Sequence, residues 1–268
     1  MKEILFSGID KNMTDEYKIN VLRENIQILL LKMLSDRGAF KNISFVGGTA
    51  LRFIYSMNRF SEDLDFSLLS SKNFDYDKLR DGIKKDIEKT GVAHTIKKGG
   101  KSSVRYFFLN FPNLLFEVGA SRIKAHNISV KIEIDMNPPD GWEIETSIIN
   151  RFYIFQVNNY KIGSLFAGKL HACLFRKYVK ARDYYDLFWY LTKKTKPNYI
   201  LLNNAIKQTE KTKIKIDDKS IIPILVQKLE KLDFKTIKAD VSKFLMDSKE
   251  AELLTKENFR KFIFENVW

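Results

Sequence analysis

The chain has 268 residues and a formal net charge of +13, from 46 lysines and arginines against 33 aspartates and glutamates. Its hydrophobic content of 44% excludes a disordered chain, because that much apolar side chain can fill a core. A single cysteine, Cys173, excludes a disulfide scaffold, and the lack of a ~20-residue apolar run or a signal-peptide core favours a soluble cytoplasmic protein with no membrane partner.

The first ninety residues predict alternating helices and strands. Apolar residues recur at helical spacing over residues 14–36, and a short apolar run over 43–46 indicates a strand that ends in Gly47-Gly48. The other elements predicted in this part are a helix from Ala50 to Met57, a strand from Leu64 to Leu69 and a helix from Asp75 to Gly91.

The middle of the chain, from Val92 to Ile134, alternates apolar and polar residues as strands do. The clearest strands are predicted at 104–109 and 129–135, with a turn at 138–141 and a further strand near 152–157. Helix patterns dominate after Ile162, and the polar stretch 207–219 predicts an exposed loop or helix end.

These patterns predict a mixed α/β (α+β) fold in two parts. A mixed β-sheet flanked by helices is expected in residues 1–160, and a helical domain in residues 161–268.

Two short polar clusters near the second predicted strand indicate phosphate chemistry. Gly47, Gly48 and Thr49 join a strand to a helix, where backbone amides and the positive end of the helix dipole favour a phosphate. Asp63 and Asp65 follow, and residues i and i+2 of a strand share a face. Paired carboxylates are ligands that Mg²⁺ prefers, so the two clusters together predict a site for phosphoryl or nucleotidyl transfer.

The order of these clusters resembles the signature of the polymerase-beta-type nucleotidyltransferase superfamily. The longer run of Gly47–Tyr55 followed by Arg59–Phe66 is similar to the AbiEii/AbiGii toxin family of nucleotidyltransferases. A second block of the same family is matched by Leu165–Ala172 and Lys180–Leu187, although relatives often carry Glu where this chain has Gly168.

The resemblance implies a nucleotidyltransferase fold, NTP as substrate and Mg²⁺ or Mn²⁺ as cofactor. Gly47, Gly48 and Thr49 would hold the β- and γ-phosphates, and Asp63 and Asp65 would bind the metal ions. The helical C-terminal domain would complete the active-site cleft.

A third carboxylate is expected from a neighbouring strand. Lys131, Glu133 and Asp135 share one face of the predicted strand 129–135. The family resemblance favours Glu133 as a metal ligand and catalytic residue, a general superfamily comparison allows Asp135, and a solvated strand face explains either residue nearly as well.

The second block adds candidate residues of mixed strength. Lys169, on the same helical face as Arg176, would meet the triphosphate, although a surface lysine is a common alternative. The resemblance assigns Asp186 to the site as a base or as an orienter of the lysine, and we expect Asp183 to cap its helix. Arg59 and Arg182 would pair with these acids or contact phosphate.

The histidines and aromatic runs carry less information. The three histidines and Cys173 lack metal-ligand spacing, so a zinc site is not expected. The aromatic runs at 106–109 and 152–155 favour core packing over base stacking.

The sequence therefore predicts a metal-dependent nucleotidyltransferase of the toxin type. The resemblance implies a toxin of a toxin–antitoxin or abortive-infection system, with tRNA 3′ ends as acceptors in some relatives and a separately encoded antitoxin protein. The charge of +13 fits an RNA acceptor and equally fits a lysine-rich background composition. The alternatives are transfer to a small molecule or a protein, and a catalytically idle nucleotide- or RNA-binding module.

Overall fold

A computed structural model describes residues 1–100, 103–210, 212 and 214–266. Its seven strands form one mixed sheet in the order β3-β4-β5-β2-β1-β7-β6. The strands are β1 (Ile43–Val46), β2 (Leu64–Leu68), β3 (Thr95–Gly100), β4 (Val104–Phe111), β5 (Ile128–Asp135), β6 (Ile144–Asn150) and β7 (Ile154–Tyr160).

Helices make up most of the remaining described chain. They are α1 (Lys2–Phe6), α2 (Asp15–Asp36), α3 (Gly47–Ile54), α4 (Tyr76–Lys89), α5 (Leu114–Glu117), α6 (Ile162–Phe175), α7 (Ala181–Thr192), α8 (Tyr199–Glu210), α9 (Ile221–Leu229), α10 (Phe234–Ser242) and α11 (Lys256–Glu265). Two short 3-10 helices occupy Ala39–Lys41 and Ser248–Leu253. This confirms the predicted mixed α/β fold with a helical second half.

The chain divides into two compact units. The first comprises residues 1–56, 60–137 and 146–159, and the second comprises 57–59, 138–145 and 160–268. The main division therefore falls between Asn159 and Tyr160, while two short segments from earlier in the sequence belong to the second unit.

The centre of the sheet follows directly from its sequence pattern. Strand β5 alternates buried and half-buried residues along its whole length, so its isoleucines and valine fill the core while its polar residues share the other face. It pairs in parallel with β2 and antiparallel with β4, and β2 pairs antiparallel with β1. These pairings place Val46, the last residue of β1, beside Asp65 of β2, and Asp65 beside Glu133 of β5.

Several predicted elements are confirmed and some boundaries are wrong. The helix predicted over 14–36 is α2, whose start is capped by the Thr14 hydroxyl accepting a hydrogen bond from the Tyr17 N–H. The helix predicted to begin at Ala50 starts at Gly47, because the strand leads into it without an intervening turn.

Other parts of the pattern were less readable. Strands β3 and β6 were not predicted as separate elements, since the first carries two lysines and two glycines and the second lies at the edge of the sheet. The predicted exposed stretch at 207–219 includes the end of α8, and within it Lys211 and Lys213 lie outside the described residues. In the part of the chain that the structure describes, every helix is too short or too polar to cross a membrane.

Candidate active site

The backbone of Gly47 lies directly against the carboxylate of Asp65. Gly47 has φ +77°, and a Cβ added there would lie 2.4 Å from Asp65 Oδ2. The close approach arises because Val46, the last residue of β1, is the register partner of Asp65 on β2. Helix α3 begins at Gly47, and its N-cap residue Val46 makes no side-chain cap. The start of this helix therefore lies beside Asp65 of β2 without a capping side chain.

Thr49 has a structural partner. Its fully buried hydroxyl donates a hydrogen bond of 2.5 Å to the main-chain carbonyl of Asp63. This bond ties the first turn of α3 to the residue that precedes β2. The expected contact between this hydroxyl and a phosphate remains a prediction.

Carboxylates gather on one face of β2 and β5. Asp65 of β2 is the register partner of Glu133 of β5. Asp63 is the residue immediately before Leu64, the first residue of β2. Because partners in a ladder share a face, Asp65 and Glu133 project from the same side of the sheet. The structure thus brings two predicted site residues together from positions 68 residues apart.

Lys131 lies within this group of carboxylates. Its ammonium forms an ion pair with Glu133 and lies over the Tyr106 ring, 4.6 Å from the centroid. Burial lowers the pKa of Lys131, but Glu133, Asp63 and Asp65 together outweigh burial and raise it. Three carboxylates therefore act on one cation, which defines a region of strong negative potential.

The donor set suits a hard divalent cation. Asp63, Asp65 and Glu133 offer only oxygen atoms, which Mg²⁺ and Mn²⁺ favour, and their negative field already holds an ammonium. Among the described residues, no three His, Cys, Asp or Glu side chains are close enough as they stand to hold an ion together. The three residues fit a metal in chemistry and strand position, and binding would require side-chain rotation.

Asp135, the alternative third carboxylate, has a different environment. Its register partner is Ser67 rather than Asp65, and its Oδ1 accepts a hydrogen bond from the Asn137 N–H. Burial is the largest effect on its pKa, which is raised, and the nearby Glu133 acts in the same direction. Asp135 thus lies farther along the strand and favours its neutral form more than an ordinary aspartate.

A second group of predicted residues forms a buried ion-pair cluster in the second unit. The Arg59 guanidinium donates to both oxygens of Asp186, at 2.6 and 2.7 Å, and Asp186 is fully buried. Lys169 lies 2.7 Å from Asp186 and 2.6 Å from Asp183, and Arg176 donates to Asp183 at 2.5 Å. We call these five residues the buried ion cluster.

Mutual attraction keeps the buried ion cluster charged. Burial would raise the pKa of Asp186, but Arg59 and Lys169 outweigh burial and lower it. Burial would likewise lower the pKa of Lys169, but Asp186 and Asp183 raise it. With three cations and two carboxylates, the cluster carries one net positive charge.

Three of the sequence predictions can be compared with this cluster. The capping role predicted for Asp183 is wrong, because α7 begins at Ala181 with Lys180 as its N-cap, and the Asp183 carboxylate binds Lys169 and Arg176 instead. Arg59 pairs with an acid as predicted. Arg182 packs its guanidinium over the Phe244 ring at 4.2 Å.

Sequence reasoning gave Lys131 and Tyr106 no role at the site. Phe107 and Leu109 of β4 are buried as predicted, but Tyr106 and Phe108 alternate with them and are only half-buried. Tyr106 is the register partner of Glu133. The alternation within β4 was visible in the sequence, whereas its register against β5 was not.

Comparisons with known proteins place this geometry in a family context. The profile of a family described as "Nucleotidyl transferase AbiEii toxin, Type IV TA system" matches residues 28–264. No curated protein sequence matches the chain.

Two solved structures from Helicobacter pylori share the fold. One is JHP933, with 20% sequence identity, a TM-score of 0.51 and coverage of 92% of this chain and 91% of that one. The other is described as a candidate nucleotidyltransferase, with 22% identity, a TM-score of 0.52 and coverage of 90% and 93%.

Proposed function

The chain belongs to the AbiEii family of nucleotidyl transferase toxins, and on that premise we propose that it transfers a nucleoside monophosphate from an NTP to a hydroxyl of an RNA acceptor. In this reaction the acceptor oxygen bonds to the α-phosphorus, the bond between the α-phosphorus and the bridging oxygen breaks, and pyrophosphate leaves. The proton of the acceptor hydroxyl passes to a base. A tRNA 3′ end is the proposed acceptor, and an antitoxin protein is the proposed regulator.

The observation that carries the proposal is the convergence of Gly47, Asp63, Asp65 and Glu133. Gly47 places the start of α3 next to Asp65 without a side chain between them. Free amides at a helix N-terminus favour phosphate oxygens, whereas the carboxylates favour a cation. A triphosphate with a bound metal ion supplies both the phosphate oxygens and the cation, so it suits this group of residues.

Asp63, Asp65 and Glu133 would hold Mg²⁺ or Mn²⁺. Such an ion, when bound, neutralises phosphate charge and lowers the pKa of an attacking hydroxyl. The residues of the chain supply the rest: Gly47 and Gly48 orient the phosphates through their amides, and Lys131 is a cation that can move between Glu133 and a phosphate oxygen.

Strand register supports Glu133 over Asp135 as the third carboxylate. Glu133 is the partner of Asp65, whereas Asp135 is the partner of Ser67. Asp135 Oδ1 also accepts a hydrogen bond from the Asn137 N–H, which engages this carboxylate locally. The catalytic roles of Lys169 and Asp186 remain predictions. The ion pair between them suits a role in which each positions the other.

The acceptor class can be tested by following radioactive label. Purified protein is incubated with Mg²⁺, each α-labelled NTP in turn and a mixture of total tRNA, a small-molecule hydroxyl panel and a carrier protein. We expect label on RNA with one or a few nucleotides, removable by a 3′ exonuclease. Label on the small molecules or protein alone would contradict the RNA acceptor while leaving nucleotidyl transfer intact.

A further inference from the structure

The segment that joins α6 to α7 is short, basic and exposed at its centre. Residues 176–180 read Arg-Lys-Tyr-Val-Lys, with three cations and no acid. Tyr178 is 67% exposed and Val179 55%, so the centre of the segment presents an aromatic ring and an aliphatic side chain to solvent. We call residues 176–180 the basic loop.

One cation of the basic loop lies against its aromatic ring. The Arg176 guanidinium lies 5.3 Å from the centroid of the Tyr178 ring while it also binds Asp183. Lys177 is exposed and Lys180 is partly buried. A ring stacked beside a guanidinium and flanked by lysines offers a flat apolar surface within a positive field.

Lys180 is a partly buried ammonium with other cations near it. Burial lowers the pKa of its ammonium, Arg182 lowers it further, and Asp183 opposes the shift without reversing it. The Asp183 carboxylate is already bound by Lys169 and Arg176. An anion beside Lys180 would thus offset the repulsion that the neighbouring cations exert on its ammonium.

The N-terminus of α7 strengthens this field. Lys180 is the N-cap residue of this twelve-residue helix, and it makes no side-chain cap. Uncapped amides and the positive end of the helix dipole therefore adjoin the basic loop. These features, together with the exposed Tyr178 ring, fit a nucleic-acid strand, which carries both phosphates and flat bases.

We propose that the basic loop binds the single-stranded end of the RNA acceptor, with Lys177 and Lys180 on its phosphates and Tyr178 stacked against an unpaired base. This inference rests on the proposed function and adds an acceptor site to it. Single-stranded RNA is favoured over an acidic protein because stacking on an exposed ring beside phosphate-binding cations is the usual means of holding unpaired bases.

The test measures RNA binding separately from catalysis. Fluorescence anisotropy with a labelled single-stranded RNA ending in an unpaired 3′ segment is recorded across a salt series without NTP. The variant Lys177→Gln/Lys180→Gln is compared with Lys193→Gln/Lys194→Gln, which removes the same charge from exposed lysines after the opposite end of α7. Circular dichroism melts verify that both variants fold.

We expect the basic-loop variant to bind RNA about tenfold more weakly at 0.15 M salt, with a log–log salt slope smaller by about 1.4, since each lost phosphate contact removes about 0.7. Tyr178→Ala should weaken binding about fivefold or more without changing the slope, and Tyr178→Phe should restore it. The control variant should bind like the wild type.

Several results would overturn the inference. Equal RNA binding by the basic-loop and control variants would remove the loop from the acceptor site while leaving the proposed function standing. A basic-loop variant that loses binding of labelled poly-glutamate but binds RNA like the wild type would assign the loop to an acidic protein partner. A wild-type protein that transfers nucleotide only to non-RNA acceptors and binds no RNA would refute the proposed RNA acceptor and the loop's role with it.

Discussion

Gly47 is the residue at which space and backbone conformation are both limiting. A Cβ there would lie 2.4 Å from Asp65 Oδ2, and φ is +77°. Gly91 provides a matched control, because its φ is +71° and nothing lies within 4 Å of an added Cβ. Both substitutions to Ala incur the backbone cost of about 1–2 kcal/mol, but only Gly47→Ala displaces a carboxylate.

We therefore expect Gly91→Ala to lower the free energy of unfolding by about 1 kcal/mol and to leave nucleotide transfer unchanged. Gly47→Ala should destabilise the protein further and abolish transfer. Chemical denaturation and a transfer assay on the folded protein measure the two effects. If the two variants had equal stability and equal transfer rates, the close approach of Gly47 to Asp65 would not be needed for nucleotide transfer.

Individual site residues were predictable where the motif is local. Gly47, Asp63 and Asp65 could be grouped from the sequence because β1, the start of α3 and β2 all lie within the short segment from Ile43 to Leu68. Lys131 could not be given a role in the same way. Its position among the carboxylates depends on the register of β2 against β5, which is set by packing between segments distant in sequence.

At the scale of the element, the register of β5 distinguishes its two acids. Glu133→Gln should reduce the transfer rate by at least about 100-fold, the size of effect seen when a positioned electrostatic group is removed. Asp135→Asn should leave the rate within a few-fold of the wild type. A reversal of these two effects in initial-rate measurements would assign the third carboxylate to Asp135.

We also expect the Asp135→Asn substitution to change how the free energy of unfolding depends on pH. The raised pKa of Asp135 in the folded state means that its ionisation opposes folding, so stability is lost as pH rises through the unfolded value near 4 and the raised folded value. Asn removes this loss. We expect the variant to unfold at higher denaturant concentration than the wild type at pH 7 and not at pH 3, and the opposite order would contradict the burial of this carboxyl.

The buried ion cluster joins α6 and α7 to Arg59. Asp186→Asn would leave two buried cations short of a partner, so we expect a loss of about 3–5 kcal/mol in the free energy of unfolding. Exposed Asp240→Asn should change it by less than about 0.5 kcal/mol. Urea denaturation provides the measurement, and a loss below about 1 kcal/mol for Asp186→Asn would contradict the account.

The cluster also limits the pH range of stability. The lowered pKa of Asp186 gives stability that is present above its unfolded pKa near 4 and is lost as pH falls below it. The raised pKa of Lys169 gives stability that is present below about 10.4 and is lost at higher pH.

Elements were predicted better than their boundaries. Helices α2 and α4 and strands β1, β2, β4 and β5 follow from periodicity alone. The start of α3 was missed because glycines disfavour a helix interior. Here Gly47 and Gly48 occupy the first turn, and the tight approach to Asp65 of β2 requires a glycine at position 47. Asp183 was misassigned as a cap because its partners lie outside its own helix: Lys169 is in α6, and Arg176 follows the end of α6.

At the scale of the whole molecule, the assignment of two short early segments to the second unit could not be predicted from the sequence. Residues 57–59 and 138–145 belong with the helical second unit, although both lie within the predicted sheet region. Such assignments depend on long-range contacts. The hydrogen bond from the Met246 N–H to the Asn58 carbonyl is one, and that from Asn204 to the Asp140 carbonyl is another.

The net charge of +13 gives a prediction for acceptor binding as a whole. If three or more phosphates are contacted, the apparent affinity for RNA in the transfer reaction should fall about tenfold or more between 50 and 200 mM salt. A small uncharged acceptor would show little change. A flat salt profile with an RNA acceptor would show that the positive charge reflects composition and not substrate binding.

The most direct test of catalysis by the carboxylates of β2 and β5 is the nucleotide-transfer rate of the double variant Asp63→Asn/Asp65→Asn. Transfer of labelled nucleotide to RNA with Mg²⁺ is measured beside wild type and Asp240→Asn, with folding verified by circular dichroism. The account predicts a loss of at least about 1,000-fold for the double variant, because both proposed metal ligands lose their charge, and no change for Asp240→Asn. A folded double variant that retains transfer within tenfold of wild type would contradict it.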